Sequence, residues 1–424
     1  MLWRLFYNVI IIPVGWIGFQ ILGLIDKKAA RGIRGRRGLF LRLEESERRL
    51  VSGRPRVWFH SSSLGEFEQA KPIISALRRR RPDLQIIVSF FSPSGYEHSQ
   101  SYKSAELITY IPFDSSWNAR RFVRIIHPAA AVIVRYDVWP NHVWALQSAG
   151  VPVFIANATL RRSTARALPF LRQFHRMLYD RINYILTVSE SDKEAFESFG
   201  LLRPVLKVIG DTRYDQVWTR SAESKSRHIL NPALLKGKKI LVIGSSWKED
   251  EDAVLSSCAG LLAQHADFLV ILVPHEPTVE NLERIEAGLN GSVTAIRFSN
   301  LHEYSGERVI LIDSVGILMI VYQYAHLALV GGSFRGGVHN VLEPAAYGIP
   351  VLFGPQHTNS QEAVEMVKRK AALTAPTGPE LCEHVHRLLE DETYRKEVGR
   401  RALEFVESHV GATERFLSYL EKVI

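Results

Sequence analysis

From residue 56 onward the chain alternates two kinds of text. Short unbroken apolar runs, rich in Val and Ile, occupy 56–60, 85–92, 107–113, 130–137, 152–158 and 184–190. Amphipathic stretches fill the gaps, the clearest at 68–83, where Pro72 belongs in or near the first turn of a helix. An apolar run without polar alternation predicts a strand buried on both faces, and such strands separated by helices predict a parallel sheet. The text "PSG" at 93–95 predicts a turn. The pattern lapses over the polar stretch 207–236. It restarts at 238–246, 268–274, 308–314, 327–333 and 349–355. The expected architecture is α/β with two Rossmann-like halves, each binding ligands at the carboxyl ends of its strands. The pattern draws the first half at 51–215, a connecting segment at 216–236 and the second half at 237–424.

The first 25 residues fit neither kind of text. From Leu5 to Ile25 there is no charged residue, and the length suffices to cross the hydrocarbon core of a bilayer as a helix. Trp3, Tyr7 and Trp16 have the amphipathic character of interfacial anchors. Residues 1–26 are therefore expected to form a membrane anchor, spanning or embedded, whose removal leaves the folded halves intact; the alternative is an amphipathic helix resting on the bilayer surface. Lys27, Lys28, Arg31, Arg34, Arg36 and Arg37 open a basic juxtamembrane segment, 27–50, and the positive-inside rule places everything beyond it in the cytoplasm. The 424 residues carry a net charge of +9, which points to an anionic partner such as a membrane surface or a phosphorylated substrate. Arginine clusters at 78–81, 120–121 and 161–162 suit such a surface. Cys258 and Cys382 make no metal-ligand set, and no Walker A, HExxH or G-x-S-x-G pattern occurs.

The polar residues of interest fall just after the apolar runs. In "HSSSLGEFEQAKP" (60–72), Glu66 sits where a strand gives way to a helix. It is placed either to cap the helix or to act as a base on a strand-end loop. Arg135 and Asp137 follow the run at 130, and Arg213 lies in "IGDTRYD" (209–215); a cation there can clamp a phosphate or a carboxylate. In the second half, Ser245 and Ser246 offer hydroxyl and N–H groups to a phosphate or carboxylate, and precede an acid-rich helix start whose acids, Glu249 to Asp252, read as dipole-matching surface residues. His275 follows the run at 268. Gly332, Ser333, His339, Asn340 and Glu343 lie in a Gly-rich strand-to-helix passage of the kind that receives phosphate and ribose.

In this order the motifs resemble the Kdo (3-deoxy-D-manno-octulosonic acid) transferases of lipopolysaccharide synthesis. The resemblance covers nearly the whole chain: the anchor with its basic flank, "HSSSLGEF", "DVWPN", "IANATLRRSTAR" (155–166), "GDTRYD", "GSSWKEDE", "DSVGIL" and "VGGSFRGGVHNVLEPAAYGIPVLFGP" (329–355). It implies a GT-B fold and an inverting, metal-independent transfer of Kdo from CMP-Kdo to a phosphorylated lipid A precursor at the inner membrane, with no cofactor and no nucleic-acid partner. It makes Glu66 the catalytic base, kept ionised by the helix dipole, and Arg213 the cation that steadies the transition state. CMP contacts map onto Pro274, His275, Val315, Gly316, Ile317, Asn340, Val341, Leu342 and Glu343. The chain departs from the family pattern in three places. Arg135 stands where the first of two acids is common, with Asp137 the second; His275-Glu276 stands for Arg-His; and Ile317 replaces an acid. The readings that compete are another GT-B enzyme, such as a nucleotide-sugar 2-epimerase, and a membrane-anchored protein that binds nucleotide or lipid without catalysis.

Overall fold

The computed structural model describes residues 2–160, 166, 168–289 and 293–424. The chain divides into two compact units, 1–216 with 410–424, and 217–409.

The first unit is built on seven parallel strands: β1 (Arg56–Ser61), β2 (Gln85–Phe90), β3 (Leu107–Tyr110), β4 (Ala130–Val134), β5 (Val153–Ala158), β6 (Tyr184–Thr187) and β7 (Val205–Val208). Their spatial order is β3-β2-β1-β4-β5-β6-β7. Successive side chains point to opposite faces, so each apolar run feeds two cores. Trp58, Ile87, Ile133 and Ile155 enter one, with the helices around Phe122 and Leu146. Val57, Phe59, Val88 and Val132 enter the other, under the helix Leu64–Arg80. The chain winds outward in both directions from β1 and β4, which makes their carboxyl ends the topological switch point.

The second unit repeats the plan with β8 (Lys239–Ser246), β9 (Phe268–Pro274), β10 (Ala295–Arg297), β11 (Val309–Leu311), β12 (Leu327–Val330), β13 (Val351–Phe353) and β14 (Leu373–Thr374). The order is β10-β11-β9-β8-β12-β13-β14, all parallel, with the switch point between β8 and β12.

The structure differs from the pattern-based reading at the 216–236 connection, the C-terminal end, two points of local structure and, fourth, the N-terminus. The stretch 216–236 is not an unstructured connection: the helix Thr212–Ser224 crosses the division, Tyr214 and Val217 are buried, and Leu230 joins a core. The second half does not extend to 424. The helix Ala412–Leu420 buries Phe416, Leu417 and Leu420 in the first unit, and the Asp215 carboxylate accepts from Gly411 N (2.5 Å) and Thr413 N (2.7 Å). Pro72 lies well inside its helix rather than in the first turn, and "PSG" opens the helix Pro93–Ser99, capped by Ser92.

The fourth difference concerns the N-terminus. Residues Leu2–Ile25 form one continuous run of helix, with a π turn at Tyr7–Ile11. One face lies along the first unit. Trp3 meets Phe174, Tyr7 packs on Trp144 and Phe174, and Phe19 meets Phe91 and Phe113. The Tyr7 hydroxyl donates to Asp114, a fully buried carboxylate that also accepts from Asn141 N, His142 N and His142 Nδ1. Asn141 Nδ2 donates to Asn8 Oδ1 (2.9 Å). The opposite face exposes Leu5, Val9, Val14, Ile17, Ile21 and Ile25. The segment 27–50 is likewise docked on this unit, as two helices, Lys27–Arg36 and Leu39–Glu47. Arg36 donates to the carbonyls of Phe91 and Ile111, and Leu39 and Leu43 are buried.

Candidate functional site

Both switch points carry the polar residues expected there. At the first, β1 ends at Ser61 and Ser63 caps the helix Leu64–Arg80. Glu66 is in the first turn and does close a capping box: its amide donates to Ser63 Oγ (3.4 Å), and its Oε2 accepts from Ser63 N (3.3 Å) and Ser62 N (2.5 Å). The cap holds one carboxylate oxygen and leaves Oε1 without a protein partner among the described residues.

Asp137 stands at the end of the neighbouring strand. Its Oδ2 accepts from Trp139 Nε1 (2.9 Å) and from the Ser62 hydroxyl, and lies 3.3 Å from His60 Nε2. A carboxylate only accepts, so His60 Nε2 carries the proton in this contact. In the neutral ring Nδ1 then accepts from Ser89 Oγ (2.9 Å), whose oxygen takes the Trp58 indole N–H (2.8 Å). Trp58, Ser89, His60, Asp137 and Ser62 thus form one relay from the core of the unit to the residue that donates its amide to Glu66.

Burial pushes the Glu66 carboxyl above the usual carboxylate range. The Ser62 N–H pulls it down, and the Asp137 charge adds to the rise while His60 opposes it. The helix dipole was expected to keep Glu66 readily ionised; desolvation outweighs it. A reaction in which Glu66 accepts a proton should lose kcat/KM on the acid side with a midpoint above that of an ordinary glutamate. Asp137→Asn removes a repelling charge and should move that limb to lower pH without returning it to the ordinary value, since burial is the larger cause. A limb unmoved by Asp137→Asn, read in a pH profile of kcat/KM, would show that the two carboxylates do not interact.

Arg213 is brought to the same helix indirectly. Thr212 donates to Gln69 O (2.7 Å) and takes a hydrogen bond from Asn157 Nδ2 (2.7 Å), fixing residues 212–213 beside the helix that carries Glu66. The Arg213 guanidinium itself is paired with Asp211 through Nε (2.9 Å) and the terminal nitrogen (2.8 Å). Arg135 follows β4 in a left-handed conformation, φ 66°. His60, Ser62, Ser89 and Trp139 were not singled out from the sequence, although all but Ser89 lie inside motifs already quoted.

At the second switch point, backbones approach closely. A Cβ on Gly331 would lie 2.3 Å from Ser245 O, and Ser245 itself is left-handed, φ 54°. Asp250 organises this loop. Its carboxylate accepts from Gly332 N (2.7 Å), Phe334 N (3.1 Å) and Trp247 N (2.9 Å). Three expectations are corrected here. Gly332 has no amide to offer a phosphate, because Asp250 takes it. Ser333 is fully buried, with Oγ accepting from Gly354 N (2.7 Å), and Ser246 Oγ donates to Glu251. Of the four acids expected on the surface, Glu249 and Asp252 are exposed there, while Asp250 and Glu251 are buried.

What remains accessible is a ladder of rings. His275 stacks on His339 (4.6 Å between centroids, 12°) and on Trp247 (4.5 Å), while Trp247 Nε1 donates to His339 Nε2 (2.8 Å) and Arg335 covers the Trp247 ring. Burial and the adjacent His275 hold His339 below the usual imidazole range. The neutral ring is the form that accepts from Trp247. Pro274 ends β9 beneath the ladder. Next to it Asn340 precedes the short helix Leu342–Ala345, accepting from Leu342 N (3.1 Å) and donating to Glu343 (3.2 Å); the Val341 and Leu342 side chains are buried, and the Leu342 amide and carbonyl are taken by Asn340 and Ala346, so of these two only the Val341 backbone is left to a ligand. Val315 and Gly316, exposed, and Ile317 follow β11 on the same sheet edge. Arg78, Arg80 and Arg81 are tied to Glu106, Glu414, Glu421 and Asp83, so the 78–81 cluster is largely neutralised; residues 161 and 162 lie outside the described residues. Among the described residues no group of three His, Cys, Asp or Glu side chains could hold a metal ion.

The model of the 3-deoxy-D-manno-octulosonic-acid transferase family (kdotransferase) matches residues 32–216. The chain is 25% identical over 430 residues to the 3-deoxy-D-manno-octulosonic acid transferase of Haemophilus influenzae, covering 99% of this chain and 98% of that one. It is 27% identical to the Bordetella pertussis enzyme of the same name, over 86% of each chain. Among solved structures, the UDP-GlcNAc 2-epimerase of Neisseria meningitidis bound to UDP-GlcNAc is similar with a TM-score of 0.61, at 15% identity over 87% of this chain and 100% of that one. The epimerase of Methanocaldococcus jannaschii gives a TM-score of 0.53 at 16% identity, over 86% and 99%. At such identity these two likenesses concern the fold, which is of the GT-B class.

Proposed function

We infer that the chain belongs to the 3-deoxy-D-manno-octulosonic acid transferase family and is a glycosyltransferase, and we propose that it moves Kdo from CMP-Kdo to a hydroxyl of a phosphorylated lipid A precursor, with inversion at the anomeric carbon. The observation that carries this reading is Glu66. It is a buried carboxylate at a switch point, fixed through one oxygen by two amides and joined through Ser62 to the Asp137–His60 relay. The residues present fit a direct displacement. The second oxygen of Glu66 takes the proton of the acceptor hydroxyl as that oxygen bonds to the anomeric carbon of Kdo. The bond from that carbon to the CMP phosphate breaks with the electron pair leaving on phosphate. Arg213, released in part from Asp211, offsets the developing negative charge. The nucleotide is held by the β8/β12 edge: the His275–His339–Trp247 ladder, the backbone of Val341, Glu343, and the loop Val315–Ile317.

The acceptor is lipid, and the exposed face of Leu2–Ile25 supplies the means to reach it. The helix is docked along the first unit from Trp3 to Phe19, so its outward face enters the inner-membrane bilayer with the unit held against the cytoplasmic surface. Residues 27–50 then meet anionic headgroups.

The test is incubation of the full chain in detergent with CMP-Kdo and a tetra-acylated lipid A precursor, reading CMP release and product mass. The expected result is acceptor bearing added Kdo in step with CMP. CMP release without a Kdo-bearing lipid, or no turnover at all, overturns the proposal.

A further inference from the structure

We propose that Arg135 is a binding residue for an anionic substituent, phosphate or carboxylate, carried by the acceptor sugar beside the hydroxyl that Glu66 deprotonates. This rests on the glycosyl transfer proposed above and adds to it the group that selects the acceptor.

The position follows from register. His60 of β1 pairs with Ile133 of β4. Two residues further on each strand come Ser62, whose hydroxyl donates to Asp137 and whose amide donates to Glu66, and Arg135. Arg135 therefore stands level with Ser62 at the switch point, two residues before Asp137. Its backbone is still held to the sheet, with its amide donating to Ala156 O (2.8 Å), but φ is 66°, in the region that L side chains rarely adopt. Strained non-glycine backbone of this kind persists where the surroundings fix it, and it collects at ligand sites. Asn157, at the end of adjacent β5, is also left-handed, φ 50°, and its side chain is fully used by Gln69 and Thr212. Arg135 differs: its side chain makes no hydrogen bond and no ion pair among the described residues, and Nε is shut off from solvent with no acceptor.

Buried polar atoms are ordinarily paired, and the buried Nε–H of this half-buried side chain calls for an acceptor. The nearby carboxylates do not provide it. Neither makes an ion pair with Arg135: Glu66 holds the Ser62 and Ser63 amides through Oε2 and keeps Oε1 for the acceptor hydroxyl, and Asp137 Oδ2 is taken by Trp139, Ser62 and His60. The missing acceptor is therefore sought in the ligand. A planar fork of N–H donors matches the paired oxygens of phosphate or carboxylate. Its placement level with Ser62 puts such a group next to the oxygen that loses its proton to Glu66.

The test is equilibrium binding of three disaccharides to the full chain in detergent: the phosphorylated glucosamine disaccharide, its dephosphorylated form, and the dephosphorylated form bearing one Kdo residue as carboxylate. Arg135→Asn is the informative variant, since Asn tolerates the left-handed backbone, and Arg135→Lys keeps the charge. Wild type should prefer an anionic disaccharide to the neutral one by roughly tenfold or more, the size of a charge-assisted contact. Arg135→Asn should reduce that preference to about twofold or less, and Arg135→Lys should restore part of it. The arm in which preference is lost identifies phosphate or carboxylate as the group received. An unchanged preference in Arg135→Asn, or equal weakening for all three disaccharides, overturns the assignment. If wild type binds these sugars with the stated preference yet transfers no Kdo, the transferase reading falls and the anion site stands.

Discussion

Glu66→Gln is expected to lower Kdo transfer by roughly 10²–10⁴-fold, the range lost with a general base, while the KM for CMP-Kdo changes little. The amide keeps the shape of the side chain and an oxygen for the Ser62 and Ser63 amides, so the cap at the start of Leu64–Arg80 survives. Stability separates this role from capping alone. The carboxyl is raised above its unfolded value, chiefly by burial, so the unfolded chain ionises first as pH rises. Between the unfolded and folded values stability falls, and the cost persists at all higher pH. Gln carries no such cost, so the variant should melt at or above the wild-type temperature at neutral pH. Near-normal turnover, or normal catalysis with a large drop in melting temperature, would return Glu66 to a capping role only.

Deleting residues 1–25 is expected to destabilise the first unit rather than merely release it from membranes, the reverse of the separable anchor that the composition implied. Asp114 is buried and loses the Tyr7 hydroxyl; one donor withdrawn from a buried acceptor costs about 1–3 kcal/mol. Phe91, Phe113, Trp144 and Phe174 lose the rings of Phe19, Tyr7 and Trp3 that cover them. Tyr7→Phe isolates the hydrogen bond and should lower the melting temperature by roughly 2–4 °C per kcal/mol in a unit of this size. The deletion should lower it much further and leave the protein prone to aggregate in detergent. A truncated protein that stays monodisperse and melts with the full chain would mean that these contacts contribute nothing.

The central strands were legible because a parallel strand buried on both faces cannot avoid being a continuous apolar run. β7, β10 and β14 were not: each is a short edge strand, and β7 alternates half-buried and exposed positions within polar text. The helix Pro93–Ser99 was read as a turn although Ser92 and Pro93 are an N-cap and an N1 proline in sequence. Glu66 and Asp137 were legible from their place after apolar runs, reinforced by the family resemblance. Asp250 was not, because an acid in a helix start looks the same whether it faces water or, as here, gathers the amides of a loop more than eighty residues away. Docking of Leu2–Ile25 was hidden for a related reason. An apolar segment states that it leaves water but not whether lipid or protein receives each face.

The return of 410–424 to the first unit has a consequence for biogenesis. In sequence the second unit is an insertion, complete and continuous, inside a first unit whose core is closed by residues that follow the insertion. On the ribosome the order of folding is therefore inverted. The second unit closes as soon as 217–409 are out, and the first waits with an open core until Phe416, Leu417 and Leu420 arrive. A chain cut short after 409 thus strikes the half of the protein that precedes the insertion, and leaves the inserted half whole.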